Sequence, residues 1–191
     1  MYQFLTYPLD VIKTNRIVNS PLTKGAGENL PREFVALYER GAVGQGLFRG
    51  LLPGLGATFF WKEVANQSRN GLPVVTLLLG TLTLNPIANL CTRRQIITQN
   101  EVGPIAYKQI AFGNGVSGIF KLITLGATAH IFRNFALSLA LVPREYGSDY
   151  EPVQALYALG AILISHPFEV ARVLIVNNGS GRLDATLKSL Y

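Results

Sequence analysis

Three pairs of ionisable residues interrupt stretches that are otherwise apolar: Asp10 with Lys13, Glu169 with Arg172, and His130 with Arg133. Buried charge is costly unless paired, so Asp10, Lys13, Glu169 and Arg172 are expected to neutralise one another. His130, with Arg133 one turn on, is expected to hydrogen-bond a neighbouring helix or another subunit, the alternative being a functional site within a span. No catalytic constellation emerges beside them. His130 and His166 lie in different apolar stretches and lack a metal-ligand spacing, so neither catalytic residues nor a metal site are expected. The single cysteine, Cys91, excludes a disulfide framework and a cysteine-based cluster. It also lacks an evident activating partner. Asp149 and Glu151 read as a solvated loop. GNGVSG (113–118) matches a dinucleotide fingerprint in letters only, because an amphipathic helical pattern precedes it where a strand is needed. Its glycines read instead as a loop whose amides suit an anionic headgroup.

The elements that hold these residues are apolar and long. Hydrophobic residues make up 49% of the 191, charged residues only 15%, well below a soluble protein's usual quarter. Residues 72–92 and 153–168 are charge-free, and 122–132 and 134–143 are divided only by Arg133. With spans needing roughly 20 apolar residues, these give three membrane-crossing candidates and a weaker one near 51–69. The alternative is the buried core of a soluble helical protein. The net charge of +6 does not indicate nucleic acid, since no basic stripe interleaved with aromatics occurs. Of the 17 bases, all but Lys62, Arg69, Arg133 and Arg144 fall on one side of the alternating segments. That asymmetry reads as topology. Residues 1–9 lack the pattern of a cleavable signal.

Three prolines then reveal a repeat: YPLDVIKTNRI around Pro8, NPIANLCTRRQ around Pro86 and HPFEVARVLIV around Pro167. PREFVALYERG follows the first and PIAYKQIAFGN the second, each with a proline suited to a helix start. GLFRG (46–50) and GIFKL (118–122) come next, and LKSLY (187–191) can be laid on FVALY (34–38). Each unit thus predicts a proline-kinked span, a basic loop with a short amphipathic helix, and a return span rich in small residues. The units run about 1–71, 72–152 and 153–191 in one domain.

PLDVIK, PFEVAR and GLFRG, in register with the other copies, resemble the mitochondrial carrier family. The resemblance implies an all-α membrane protein, an incomplete carrier-like bundle of proline-kinked helices with short amphipathic matrix-side helices. It also implies a mitochondrial inner-membrane location. In that family the acids and bases after the kinks form a ring of interhelix ion pairs that gates a cavity. Carried over, Asp10 would face Cys91 and Arg172 would face Ala88, leaving Glu169 with Lys13 as the surviving contact. The short segment before Pro8 and the absence of a sixth span after Tyr191 add to that incompleteness. Ala57 and Ala129-His130 fall where the family contacts substrate, so the resemblance implies a vestigial substrate contact at His130 and Arg133. Phe48, Arg49 and Gly50 keep the family's cardiolipin motif and Lys121 keeps part of it; simple snorkelling of the bases is the alternative.

Two functions follow from the resemblance. One is a non-transporting structural subunit packed among other membrane subunits of a large complex, the terminal oxidase or another respiratory-chain complex. The other is a shortened solute carrier that completes its cavity with a partner chain. Neither needs a cofactor, though bound cardiolipin is expected.

Overall fold

Proline inside a helix deletes one backbone hydrogen bond, yet all three helices that carry the repeated prolines continue through them. A computed structural model of the protein describes residues 2–18, 30–40, 46–68, 73–96, 115–138, 151–179 and 181–190. In chain order the helices are α1 (Tyr2–Ile17), α2 (Leu30–Glu39), α3 (Leu51–Ser68), α4 (Pro73–Gln95), α5 (Gly115–Thr124), α6 (Ala127–Ser138), α7 (Glu151–Asn178) and α8 (Leu183–Leu190). The described residues form helices, turns and short connections, with no strand among them. Among the described residues, three segments are long and apolar enough to cross a membrane: Val75–Gln95, Gly115–Ser138 and Glu151–Asn178. The apolar part of α3 is shorter, Leu51–Phe60.

The chain divides into two compact units. The first comprises 1–60 and 86–123, the second 61–85 and 124–191. The core of the first is Tyr7, Val11, Ile12, Leu37 and Leu47, with Phe48 and Leu51 against it. Helix α2 buries Glu33, Ala36 and Leu37. Arg16 of α1 binds the Glu33 carboxylate at 2.9 Å. The expected amphipathic helix around Pro31 is therefore present and tied to α1. Its counterpart at 104–110 lies outside the described residues, as do Asp149 and most of the loop expected around it.

In the second unit α6 packs on α7, with Ala129, Ala161 and Ala171 almost fully buried between them or nearby. Phe132 stacks on Phe168 with ring centroids 5.4 Å apart. Helices α3 and α4 approach so closely that a Cβ on Gly80 would lie 2.5 Å from Val64 Cγ1. Overpacking of this kind costs about 1–3 kcal/mol. Gly80→Ala is expected to lower the thermal midpoint in detergent, and Val64→Ala on the same background to restore most of it. Equal midpoints for the wild type and Gly80→Ala would contradict the close approach.

Three sequence expectations change. Residues 115–118 of GNGVSG open helix α5 where a loop was expected, and Glu151 begins α7. The apolar run around Arg133 is also not one continuous helix. It breaks at Gly126, which has φ +66°.

Candidate functional site

A left-handed residue within a membrane-crossing segment leaves backbone groups outside the helical ladder, and in hydrocarbon these need protein partners. Gly126 starts α6 by accepting the His130 amide at 2.9 Å. The carbonyl just before it, Leu125 O, accepts from Asn85 Nδ2 at 3.1 Å. In the first unit, Asn89 Nδ2 donates to Leu122 O at 2.9 Å. Asn85 and Asn89 are both fully buried.

The same construction occurs at the start of α3. Gly50 has φ +80° and accepts the Gly54 amide at 3.1 Å. The carbonyl before it, Arg49 O, accepts from the Tyr7 hydroxyl at 3.1 Å. Tyr7 and Asn85 each precede a repeat proline, so the two internal copies share this joint. Matching the glycines sets Arg49 against Leu125. The Gly-aliphatic-Phe-base motif instead sets it against Lys121, one helical turn earlier.

Around this joint the second unit gathers a polar network from α4, α6 and α7. Glu169 Oε2 lies 2.8 Å from Arg133 Nε and 3.2 Å from Arg172 Nε, and Oε1 accepts from Arg172 Nη2 at 3.4 Å. Arg133 Nη1 donates to Asn134 Oδ1 at 3.2 Å, and Asn134 Nδ2 donates to Thr81 Oγ1 at 3.1 Å. His130 Nδ1 and Asn85 Oδ1 stand 2.9 Å apart. One carboxylate thus faces two guanidiniums, with neutral hydrogen-bonding side chains around them. The arrangement can brace three helices, and its excess positive charge suits an anion.

Other expected site residues are placed elsewhere. Asp10 and Lys13 lie 3.9 Å apart on α1, both about half exposed. They belong to the first unit; Glu169 and Arg172 belong to the second. Arg49 is 3% exposed. Its guanidinium does not snorkel to a surface: Nε donates to Arg94 O and Nη2 to Ile96 O, the latter at 3.2 Å. A cation there satisfies carbonyls that the end of α4 leaves open and complements its dipole. Phe48 packs beside the first core, Gly50 approaches Cys91 O and Tyr7, and Lys121 is exposed. Arg49→Lys keeps the charge and loses the fork. It is expected to cost about 1.5–3 kcal/mol, seen as a lower urea midpoint in detergent. An unchanged midpoint would show that the fork is dispensable.

Sequence reasoning singled out the charged members of the network and missed Thr81, Asn85 and Asn134, as well as the buried Asn89 of the first unit. The signal was their spacing: Thr81, Asn85 and Asn89 recur every four residues around Pro86, one polar stripe on an apolar helix. Among the described residues, no three His, Cys, Asp or Glu side chains come together as a metal site. Compared with protein-family models, curated proteins and solved structures, the chain matches none.

Proposed function

We propose that the protein is a non-transporting, carrier-derived structural subunit of a large complex in the mitochondrial inner membrane, in the respiratory chain, with the terminal oxidase as one setting. A single observation supports this reading: Glu169, the acid a carrier-like gate would have to exchange between partners, is held by Arg133 and Arg172 together. Two guanidiniums on one largely buried carboxylate make a fixed strut, since releasing either strands charge in a low-dielectric site. Cys91 and Ala88 stand where the resemblance to carriers asks for a base and an acid, which removes two further exchange contacts.

A second reading, a shortened carrier completed by a partner chain, draws on the excess cation in the same network. An anionic solute would find two arginines there and His130 close by. Cardiolipin remains a proposed ligand under both readings. The exposed Lys121 is the better base for it, because Arg49 binds carbonyls at the end of α4.

Native-size separation after mild solubilisation decides between the readings. The structural subunit is expected to co-migrate at constant stoichiometry with a large complex, and to give no solute exchange in reconstituted vesicles. Migration as a small free species with exchange activity would reject it. Unchanged co-purified cardiolipin after Lys121→Ala would remove the lipid proposal at that residue.

A further inference from the structure

We infer that helix α2 lies in the membrane interface, with Leu30, Phe34, Val35 and Tyr38 set into an anionic lipid surface at the level where α4 leaves the hydrocarbon. The inference goes beyond the subunit reading and does not depend on it.

An amphipathic helix ordinarily has one apolar face, and packing covers it. Helix α2 has two. Ala36 and Leu37, with Glu33, are buried, and Leu37 joins the first core. Leu30, Phe34, Val35 and Tyr38 are instead 44%, 41%, 53% and 66% exposed, and Pro31 is exposed beside them. At about 100° per residue these five fill a continuous arc of roughly 140°. Arg32 and Glu39, both exposed, separate that arc from the buried one on one side. A short helix with one packed face, one free apolar face and a charged edge suits a lipid surface that it lies along rather than crosses.

Hydrogen bonds fix the depth of α2. The segment of α4 that is apolar enough to cross a membrane ends at Gln95. Gln95 Oε1 accepts from Thr14 Oγ1 at 3.0 Å, and Gln95 O accepts from Asn15 Nδ2 at 2.9 Å. The next residue of α1, Arg16, binds Glu33 of α2. All of these residues belong to the first unit. Helix α2 is therefore held beside the end of a span, where hydrocarbon gives way to headgroups. Phe34 and Tyr38 fit that level, since aromatic rings gather at the membrane–water interface. The charge fits it as well. All but four of the 17 bases fall on this side of the segments, Arg32 and Arg40 among them, and an anionic leaflet complements such a surface.

The test uses the full chain with nitroxide labels introduced one at a time, on a Cys91→Ser background, through Phe34→Cys, Tyr38→Cys or Arg32→Cys. The labelled protein is reconstituted in vesicles of phosphatidylcholine and phosphatidylglycerol. Labels at Phe34 and Tyr38 are expected to be reached by oxygen and shielded from a water-soluble nickel chelate, at a depth of about 5–10 Å. The label at Arg32 should show the reverse. Chelate access at Phe34 and Tyr38 equal to that at Arg32 puts the face in water and overturns the inference. Exclusion of both probes puts it against protein, whether another segment or a second copy, and overturns it too. Vesicles of phosphatidylcholine alone should raise chelate access at both positions; unchanged access overturns the choice of an anionic surface. A photoreactive benzophenone side chain at Phe34 of the otherwise unaltered chain extends the test to the native membrane, where lipid adducts are expected. Adducts with another polypeptide assign the face to a partner and overturn the inference. Lipid adducts in a chain that migrates as a small free species keep this inference and remove the subunit reading.

Discussion

Glu169→Gln is expected to destabilise the protein by about 3–5 kcal/mol, the usual cost of breaking a buried ion pair from one side. The variant keeps the shape of the side chain and removes its charge. Arg133 and Arg172 then face each other across a neutral amide, inside segments apolar enough for hydrocarbon. The whole network feels this, because Arg133 also holds Asn134, which in turn holds Thr81 of α4. The expected readout is a large fall in the thermal midpoint of detergent-purified protein and lower accumulation in the membrane. Two companion variants separate charge from packing. Arg133→Met leaves Glu169 with Arg172 and should be milder than Glu169→Gln. Replacing all three by Met, Leu and Met strands no charge and should also be milder than the single change. If Glu169→Gln unfolds with the wild type's midpoint, the network does not brace the three helices.

Gly126→Val should cost about 1–3 kcal/mol from backbone strain alone. The residue has φ +66°, a region that β-branched side chains essentially avoid. The new side chain would also meet Arg172, whose Cγ is 3.3 Å from the position of a Cβ. Straightening the break relieves the strain only by leaving Asn85 and Asn89 without their carbonyls, and both are fully buried. Gly126→Asn, which tolerates the left-handed region better, is expected to lose less. Amide hydrogen exchange at His130, whose N–H bonds Gly126 O, gives a local readout. Faster exchange in Gly126→Val, with smaller changes distant in α7, is the expected pattern. Exchange identical to wild type would show that the break does not need glycine.

Helix α4 and the segment 115–138 show how differently two apolar runs can be read. Both were legible as membrane-crossing candidates from hydropathy, a sum over residues that needs no knowledge of neighbours, though the second was placed at 122–143 and its first turns were read as loop. The amphipathic helix at Pro31 was legible for a similar reason: its periodicity is local. The break at Gly126 was not. A glycine in a helical pattern is compatible with either an uninterrupted helix or a left-handed turn. The difference here lies in Asn85 and Asn89, donors far away along the chain that accommodate the open carbonyls. The glycine and its donors signal little when taken separately.

The site divides along the same line. Glu169 and Arg172 stand one turn apart on one helix, so their pairing could be anticipated from spacing alone. Arg133 could be singled out as a charge in an apolar run, but its partner could not be identified without the packing of α6 on α7. Arg49 is the sharpest difference. Its motif suggests a lipid headgroup, whereas its guanidinium binds Arg94 O in the last turn of α4 and Ile96 O just past it, an acceptor set that exists only once the chain is folded.

By itself, then, the sequence determined the helical class, the three segments fit to cross a membrane, the repeat around Pro8, Pro86 and Pro167, and which residues bring charge into apolar surroundings. Only the tertiary structure decided which charges meet, which carbonyls the asparagines take, and where the second return segment breaks. The reason is physical: hydropathy and helical periodicity are properties of neighbouring residues along the chain. Hydrogen bonds and ion pairs reach across angstroms to residues many positions away, and their energies depend on a geometry that packing alone supplies.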